Sequence, residues 1–156
     1  MEEPRFRYLC SYRAGFTEPQ QMIGKAHFGR RMIAALTGGE VEGERLHGRV
    51  MPSGGDWATI DDNDTLRLDA RITMETHDGA LIYVSYRGVL RPLSAAHKHA
   101  RNGGPRTPEE KAEVYFRTTP MFETGDERYL WLNDIVAVGL GASIGGAVRY
   151  DVFELL

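Results

Sequence analysis

The stretch Leu66-Arg67-Leu68-Asp69-Ala70-Arg71-Ile72-Thr73-Met74-Glu75-Thr76-His77-Asp78-Gly79-Ala80-Leu81-Ile82-Tyr83-Val84-Ser85-Tyr86-Arg87-Gly88-Val89-Leu90 decides the fold class. Leu66, Leu68, Ala70, Ile72 and Met74 fall on one side of an extended chain, and Arg67, Asp69, Arg71, Thr73 and Glu75 on the other. His77-Asp78-Gly79 has the composition of a tight turn between antiparallel strands. The returning arm carries bulky groups on both sides, Ile82, Val84 and Tyr86 against Leu81, Tyr83 and Val89. Such a strand is covered on both faces, with a lumen on one side and a subunit contact on the other as one way to do it.

Outward from this hairpin the same punctuation recurs. Phe6 to Phe16 places Phe6, Tyr8, Cys10, Tyr12, Ala14 and Phe16 on one face, which predicts a strand with an aromatic inner side. Met22 to Thr37 is compatible with a short helix or an irregular strand, and its reading stays open. Glu40 to Pro52 predicts one or two strands, Ser53-Gly54-Gly55 a turn, and Asp56 to Ile60 the next strand before Asp61-Asp62-Asn63-Asp64 turns the chain again. Pro92 opens a loop of about twenty residues, long for a compact domain. Within it Thr107-Pro108-Glu109-Glu110 combines a capping hydroxyl, a proline at the first helical position and a glutamate three residues after the cap, so a short helix starts there. Glu113 to Thr119, Tyr129 to Gly139 and Ala147 to Leu155 are again β-like. The expected fold is all-β: an antiparallel up-and-down barrel of about eight strands, closed because closure removes exposed edges, with a short helix in the 94–112 loop.

The 156 residues, with 18 Gly and 7 Pro, make one domain spanning 1–156. A net charge of −3 from 19 basic and 22 acidic residues leaves no electrostatic footprint for nucleic acid. No apolar run approaches the roughly 20 residues of a membrane helix. Met1-Glu2-Glu3-Pro4 is acidic where a signal peptide is basic, and the single Cys10 suits a reducing compartment, so a cytoplasmic location is expected. Neither nucleic acid nor membrane is expected as a partner.

No spacing matches a phosphate loop, a dinucleotide fingerprint, a zinc-protease helix or an EF-hand loop, so no cofactor is expected. Gly139-Leu140-Gly141 lacks the helix that a phosphate loop needs. His97-Lys98-His99 offers two imidazoles without a third donor, which falls short of a metal site and reads as a solvated loop. Cys10 on the aromatic face of the first strand reads as a buried structural thiol. Tyr129, Trp131 and Asn133 alternate along Tyr129-Leu130-Trp131-Leu132-Asn133-Asp134, and such a row suits a pocket wall as well as a core. Asp56, Trp57, Arg71, Tyr115, Arg117 and Glu123 would join it if closure brought their strands around one mouth. For Asp69 and Arg71 the alternation argues outward.

Gly38-Gly39-Glu40-Val41-Glu42-Gly43, Leu46-His47-Gly48, Gly54-Gly55-Asp56-Trp57, Leu68-Asp69-Ala70-Arg71, His77-Asp78-Gly79-Ala80-Leu81-Ile82, Tyr115-Phe116-Arg117-Thr118, Phe122-Glu123-Thr124 and Tyr129-Leu130-Trp131-Leu132-Asn133 occur in this order. Together they resemble the family known as domain of unknown function 3237, the UPF0311 group of small bacterial and fungal proteins, from about Phe6 to Phe153. The resemblance implies an antiparallel barrel of about eight strands. It also singles out Asp56, Trp57, Arg71, Arg117, Glu123, Trp131 and Asn133 among the polar and aromatic residues. The basic loop from His97 to Arg106 departs from the family's usual pattern.

The leading functional expectation is an enzyme without cofactor, an isomerase, cyclase or lyase, moving a proton on a small aromatic or polyketide-like carbonyl compound in the lumen. Glu123 or Asp56 would be the acid or base, Arg71 and Arg117 would meet an oxyanion, and Trp57, Tyr115, Tyr129, Trp131 and Asn133 would bind and orient the substrate. The loop from Ser94 to Lys111 would serve as a lid. Two readings stand beside it: a carrier for a small apolar or aromatic ligand, and a homo-oligomeric structural module.

Overall fold

The computed structural model describes residues 3–101 and 105–156. Met1, Glu2 and the Asn102-Gly103-Gly104 portion of the His97 to Arg106 loop lie outside the described residues.

The central hairpin is as its alternation requires. Strand β5 (Leu66–Thr76) and strand β6 (Leu81–Arg91) pair antiparallel from Leu66 with Leu90 to Glu75 with Leu81. Their turn is closed by Thr76, whose amide donates to the Ala80 carbonyl and whose hydroxyl donates to Asp78 at 2.6 Å. Before them come β1 (Phe6–Phe16), β2 (Gln21–Ala26), β3 (Gly29–Glu42) and β4 (Gly48–Ile60); after them β7 (Tyr115–Glu123), β8 (Ala137–Ser143) and β9 (Ala147–Leu155). The sheet runs β1-β9-β8-β7-β6-β5-β4-β3-β2, and β1 also pairs with β3. That second pairing closes eight strands into an antiparallel barrel, with β2 as a ninth strand attached to β3 alone. Among the described residues closure leaves the six-residue β2 as the free edge.

Four local readings are settled or changed. The undecided Met22 to Thr37 segment is a hairpin of β2 and β3, not a helix. Ser53-Gly54-Gly55 does not end a strand; β4 runs through it, and the β4–β5 register shifts between Val50 and Gly54 as in a bulge. Tyr129 to Asp134 is not β: a 3₁₀ turn spans Leu130–Asp134 before β8 begins at Ala137.

The fourth change concerns the long connection. The helix capped by Thr107 is present as α2 (Pro108–Glu113), with the Glu110 amide donating to the Thr107 hydroxyl at 3.1 Å, but α1 (Leu93–Ala100) precedes it. Pro92 gives α1 no side-chain cap. Its orphan amides are met from elsewhere in the chain: Leu93 N–H donates to the Asp64 carbonyl at 2.8 Å and Ser94 N–H to the Asp64 carboxylate at 3.2 Å. A cap supplied from the β4–β5 loop leaves no signature next to the helix in sequence.

One end of the barrel is packed solid by Val50, Ile72, Met74, Ile82, Val84 and Leu132, all nearly inaccessible. The other end carries α1, whose Leu93, Ala95 and Ala96 are buried. No helix among the described residues is long and apolar enough to cross a membrane.

Candidate functional site

Alternation on β4 sends Asp56 inward and Trp57 outward, and Asp56 enters the lumen only 7% exposed. The β4–β5 ladder pairs Asp56 with Ala70 and resumes at Thr59 with Arg67. In that interval the Asp69 amide donates to Asp56 Oδ1 at 2.9 Å. Burial drives the Asp56 carboxyl up to about 6; the Asp69 amide bond opposes the rise, and the nearby Asp69 carboxylate adds to it.

Three tyrosines surround this carboxyl. Tyr12 from β1, Tyr86 from β6 and Tyr150 from β9 are all buried, with ring centroids 5.0 Å apart for Tyr12 and Tyr150 and 5.5 Å for Tyr86 and Tyr150. Burial first, with the nearby Asp56 carboxyl adding to it, holds all three hydroxyls protonated above the usual tyrosine range; the neighbouring tyrosines add to the rise at Tyr12 and Tyr150 and oppose it at Tyr86. The Tyr150 hydroxyl is buried and makes no hydrogen bond of normal geometry among the described residues, although the Tyr86 hydroxyl lies close enough to raise its pKa as a neighbour it would donate to.

Asp56 and Tyr150 face a cavity of about 120 Å³ at the α1 end of the lumen. Leu66, Leu68, Leu90, Phe116 and Val148 form much of its wall, and Leu93 and His97 of α1 contribute from the helix side. Gly141 makes room for the Phe116 ring, since a Cβ there would lie 2.6 Å from it. Among the described residues no lysine or arginine lines the cavity, and the titratable groups that do are Asp56, His97 and Tyr150. The space is somewhat smaller than the roughly 150 Å³ cavity known to hold benzene, so it suits a compact, uncharged group rather than a large ring system.

The other expected site residues do not converge on this cavity. Arg71 lies on the outer wall, 3.2 Å from Asp69 and with its guanidinium 5.7 Å from the centre of the Trp57 ring. Arg117 and Tyr115 point outward from β7, the guanidinium 5.0 Å from the ring centre, and Glu123 is exposed at the end of the same strand. Parity explains this: Phe116, Thr118, Pro120 and Phe122 take the buried positions of β7.

Tyr129, Trp131 and Asn133 do not share a face, because a 3₁₀ turn repeats every three residues rather than every two. Tyr129 is buried and donates to Asp78 at 2.8 Å, while the Arg45 guanidinium lies 4.4 Å from the centre of the Trp131 ring. Asn133 accepts from the Thr124 amide at 2.9 Å and donates to the Thr124 carbonyl at 3.0 Å. These contacts fasten the turn to the end of β7. Replacing Asn133 by Ala should therefore lower stability by about 1–3 kcal/mol in urea melts without altering the lumen.

The sequence reading passed over Tyr12, Tyr86, Tyr150 and His97. The three tyrosines carried a usable signal, since each occupies the apolar phase of its strand, where a hydroxyl is out of place. His97 is not in a solvated loop but on α1, lining the cavity, and His99 bonds to Glu113 of α2 at 2.8 Å. Cys10 is wholly buried, and burial pushes its thiol up to about 12, in keeping with a structural role. Among the described residues no group of three or more His, Cys, Asp or Glu side chains is placed to hold a metal ion.

Comparison with known proteins extends the picture to relatives. UPF0311 protein RPA1785 of Rhodopseudomonas palustris is 39% identical over 155 residues, covering 99% of this chain and 97% of the relative. The crystal structure of RPA1785 superposes with a TM-score of 0.87 over the whole of both chains. A beta-barrel like protein from Acinetobacter baumannii, ABAYE2633, superposes at 0.85 with 33% identity, covering 100% of this chain and 98% of that one. An enzyme from Penicillium herquei shares the fold at a TM-score of 0.70 and 21% identity, covering 100% and 97% of the two chains. The profile of the family described as Protein of unknown function (DUF3237) matches residues 4–155, and with relatives this similar along its whole length the chain belongs to that family.

Proposed function

We propose that the protein is an enzyme that transfers a proton on a small, neutral, cyclic or aromatic carbonyl compound held in the lumen, with Asp56 as the acid–base group. One observation carries this reading: a carboxyl buried in an apolar cavity, pushed up to about 6, beside a buried tyrosine hydroxyl whose one available protein neighbour is the Tyr86 hydroxyl and which makes no hydrogen bond of normal geometry among the described residues. A carboxyl in that range is matched to proton transfer near neutrality. Ionised Asp56 takes a proton from the carbon next to the substrate carbonyl. Tyr150 stays protonated because of its burial and donates a hydrogen bond to the enolate oxygen that forms. Asp56 then returns the proton to another atom of the substrate, giving isomerisation, ring closure or elimination according to the compound.

The lining favours an uncharged substrate, because no arginine or lysine is there to meet a carboxylate or phosphate. A carrier needs the same lumen but gains nothing from a buried carboxyl, whose ionised form is costly. The Penicillium enzyme supports the reading to the extent that one protein of this fold is an enzyme.

The test is deuterium exchange, followed by proton NMR, in a panel of small enolisable ring ketones with the protein in heavy water at pH 7. The wild-type protein should speed exchange at the carbon next to the carbonyl; a panel on which it has no effect counts against the proposal. Tyr150→Phe should lower the exchange rate about 10²-fold or more while changing stability by less than about 1 kcal/mol, because the hydroxyl it removes has at most a poorly aligned contact with Tyr86 to lose.

A further inference from the structure

The outer wall built by β5, β6 and β7 leaves large apolar side chains uncovered. Met121 is 70% exposed, Leu81 58% and Tyr83 39%. They are neighbours, since Ser85 pairs with Met121 and Tyr83 with Glu123 across β6 and β7. Charge on the same wall is polarised along the strands. Arg67, Arg87 and Arg117 flank a groove towards one end, and Glu75 and Glu123 stand at the other. Arg67 pairs with Asp61, and Arg71 and Arg87 share Asp69. Neither Arg117 nor Glu123 has an oppositely charged partner among the described residues.

We propose that this wall is the interface of a two-fold symmetric homodimer. Two-fold dimers are the commonest closed assemblies, and in them one patch meets its own copy. Sheets packed face to face keep their strands nearly aligned, so an axis lying between them and crossing the strands sets each strand against its own copy in reverse. At the level of the paired residues Ala70, Tyr86 and Pro120, that axis brings Arg117 against the partner's Glu123. By the same operation Asp69 meets the partner's Arg71, Val89 the partner's Tyr83, and Thr119 the partner's Met121. Shifting the axis one residue to the level of Asp69, Arg87 and Thr119 sets Arg67 against Arg71 and Arg87 against its own copy, and opposed like charges are strongly unfavourable. Shifting it the other way, to the level of Arg71, Ser85 and Met121, sets Arg71 against its own copy and leaves Arg117 and Glu123 without charged partners, so of these three registers the charge pattern selects the first, with a second copy as the occupant. A second copy satisfies Arg117 and Glu123 together, and does so twice per dimer. It also covers the outward bulk of β6, which a monomer leaves in water.

The experiment is sedimentation velocity with light scattering on the full chain at micromolar concentration. The expected mass is twice 17.5 kDa. Arg117→Glu and Glu123→Arg should each raise the dissociation constant by about a hundredfold or more, because each swap opposes like charges at two symmetric places. The combined Arg117→Glu and Glu123→Arg variant should recover the dimer. A monomeric wild-type chain overturns the proposal, and so does a dimer that the single swaps leave intact or that the combined swap fails to recover. Both side chains lie outside the core, and circular dichroism verifies that each variant keeps the barrel. Met121→Asp supplies an independent variant: it should also weaken the dimer, and an unchanged dissociation constant counts against this face.

Discussion

Replacing Asp56 by Asn should slow the proposed proton transfer about 10²-fold or more and at the same time make the barrel more stable at pH 8. In the folded protein the carboxyl titrates at about 6 instead of its ordinary 3.8, because burial penalises the charged form. The folded state therefore holds this proton more tightly than the unfolded chain does. Below about pH 4 both states are protonated and the carboxyl adds no penalty. As pH rises through 6 the folded protein must carry a buried anion, and the full penalty, about 3 kcal/mol for a rise of this size, is present above that point. Asn carries no charge and keeps an oxygen to accept the Asp69 amide bond. Urea melts should thus show Asp56→Asn more stable than wild type by about 3 kcal/mol at pH 8, with the difference shrinking towards zero at pH 4. The deuterium-exchange rate of the wild type should climb with pH to a plateau, with a midpoint near 6, while the variant falls about 10²-fold or more and loses the inflection. A variant that is less stable at pH 8 would mean that Asp56 has a favourable partner in its charged form, which would remove the basis for its role.

The second large effect concerns closure. Gly39 lies where β3 pairs with both of its neighbours, opposite Ala14 of β1 and Val50 of β4. A Cβ at this position would sit 1.8 Å from the Arg13 carbonyl oxygen and 3.2 Å from the Ala14 Cα. These are backbone atoms of the strand that seals the barrel, so no side-chain rotation relieves the overlap. Gly39→Ala should cost more than about 4 kcal/mol, a loss reserved for backbone and core disruptions. Hydrogen exchange should show the damage first in the β1 amides that face β3. Gly125→Ala is the control, since its Cβ meets nothing within 4 Å and its melt should be unchanged within about 0.5 kcal/mol.

The two substitutions also mark what could be read from the chain. Alternation within Leu66 to Met74 gave β5 its buried and exposed faces, and the same parity put Arg71 outside. It would have done the same for Arg117 and Glu123, because Phe116, Thr118 and Phe122 hold the inward phase of β7. Asp56 was legible as a candidate, and the inward phase of Tyr12, Tyr86 and Tyr150 was legible strand by strand, but their meeting around it was not. Tyr12, Tyr86 and Tyr150 lie far apart in sequence, and each looks like an ordinary core aromatic in its own strand. The turn at Leu130–Asp134 escaped because Tyr129, Trp131 and Asn133 fall at every second position, as one face of a strand would, although the backbone follows a three-residue period.

By itself, then, the sequence determined the elements whose energetics are local: strands from two-residue alternation, the turn at His77-Asp78-Gly79, and the helix that Thr107 caps. The tertiary structure alone decided which inward side chains meet. Barrel closure through the β1–β3 pairing sets strands distant in the chain around one lumen, and only in that lumen does Asp56 lose its water and acquire a pKa suited to proton transfer. Desolvation is a property of the enclosure rather than of the residue, and no pattern along the chain records it.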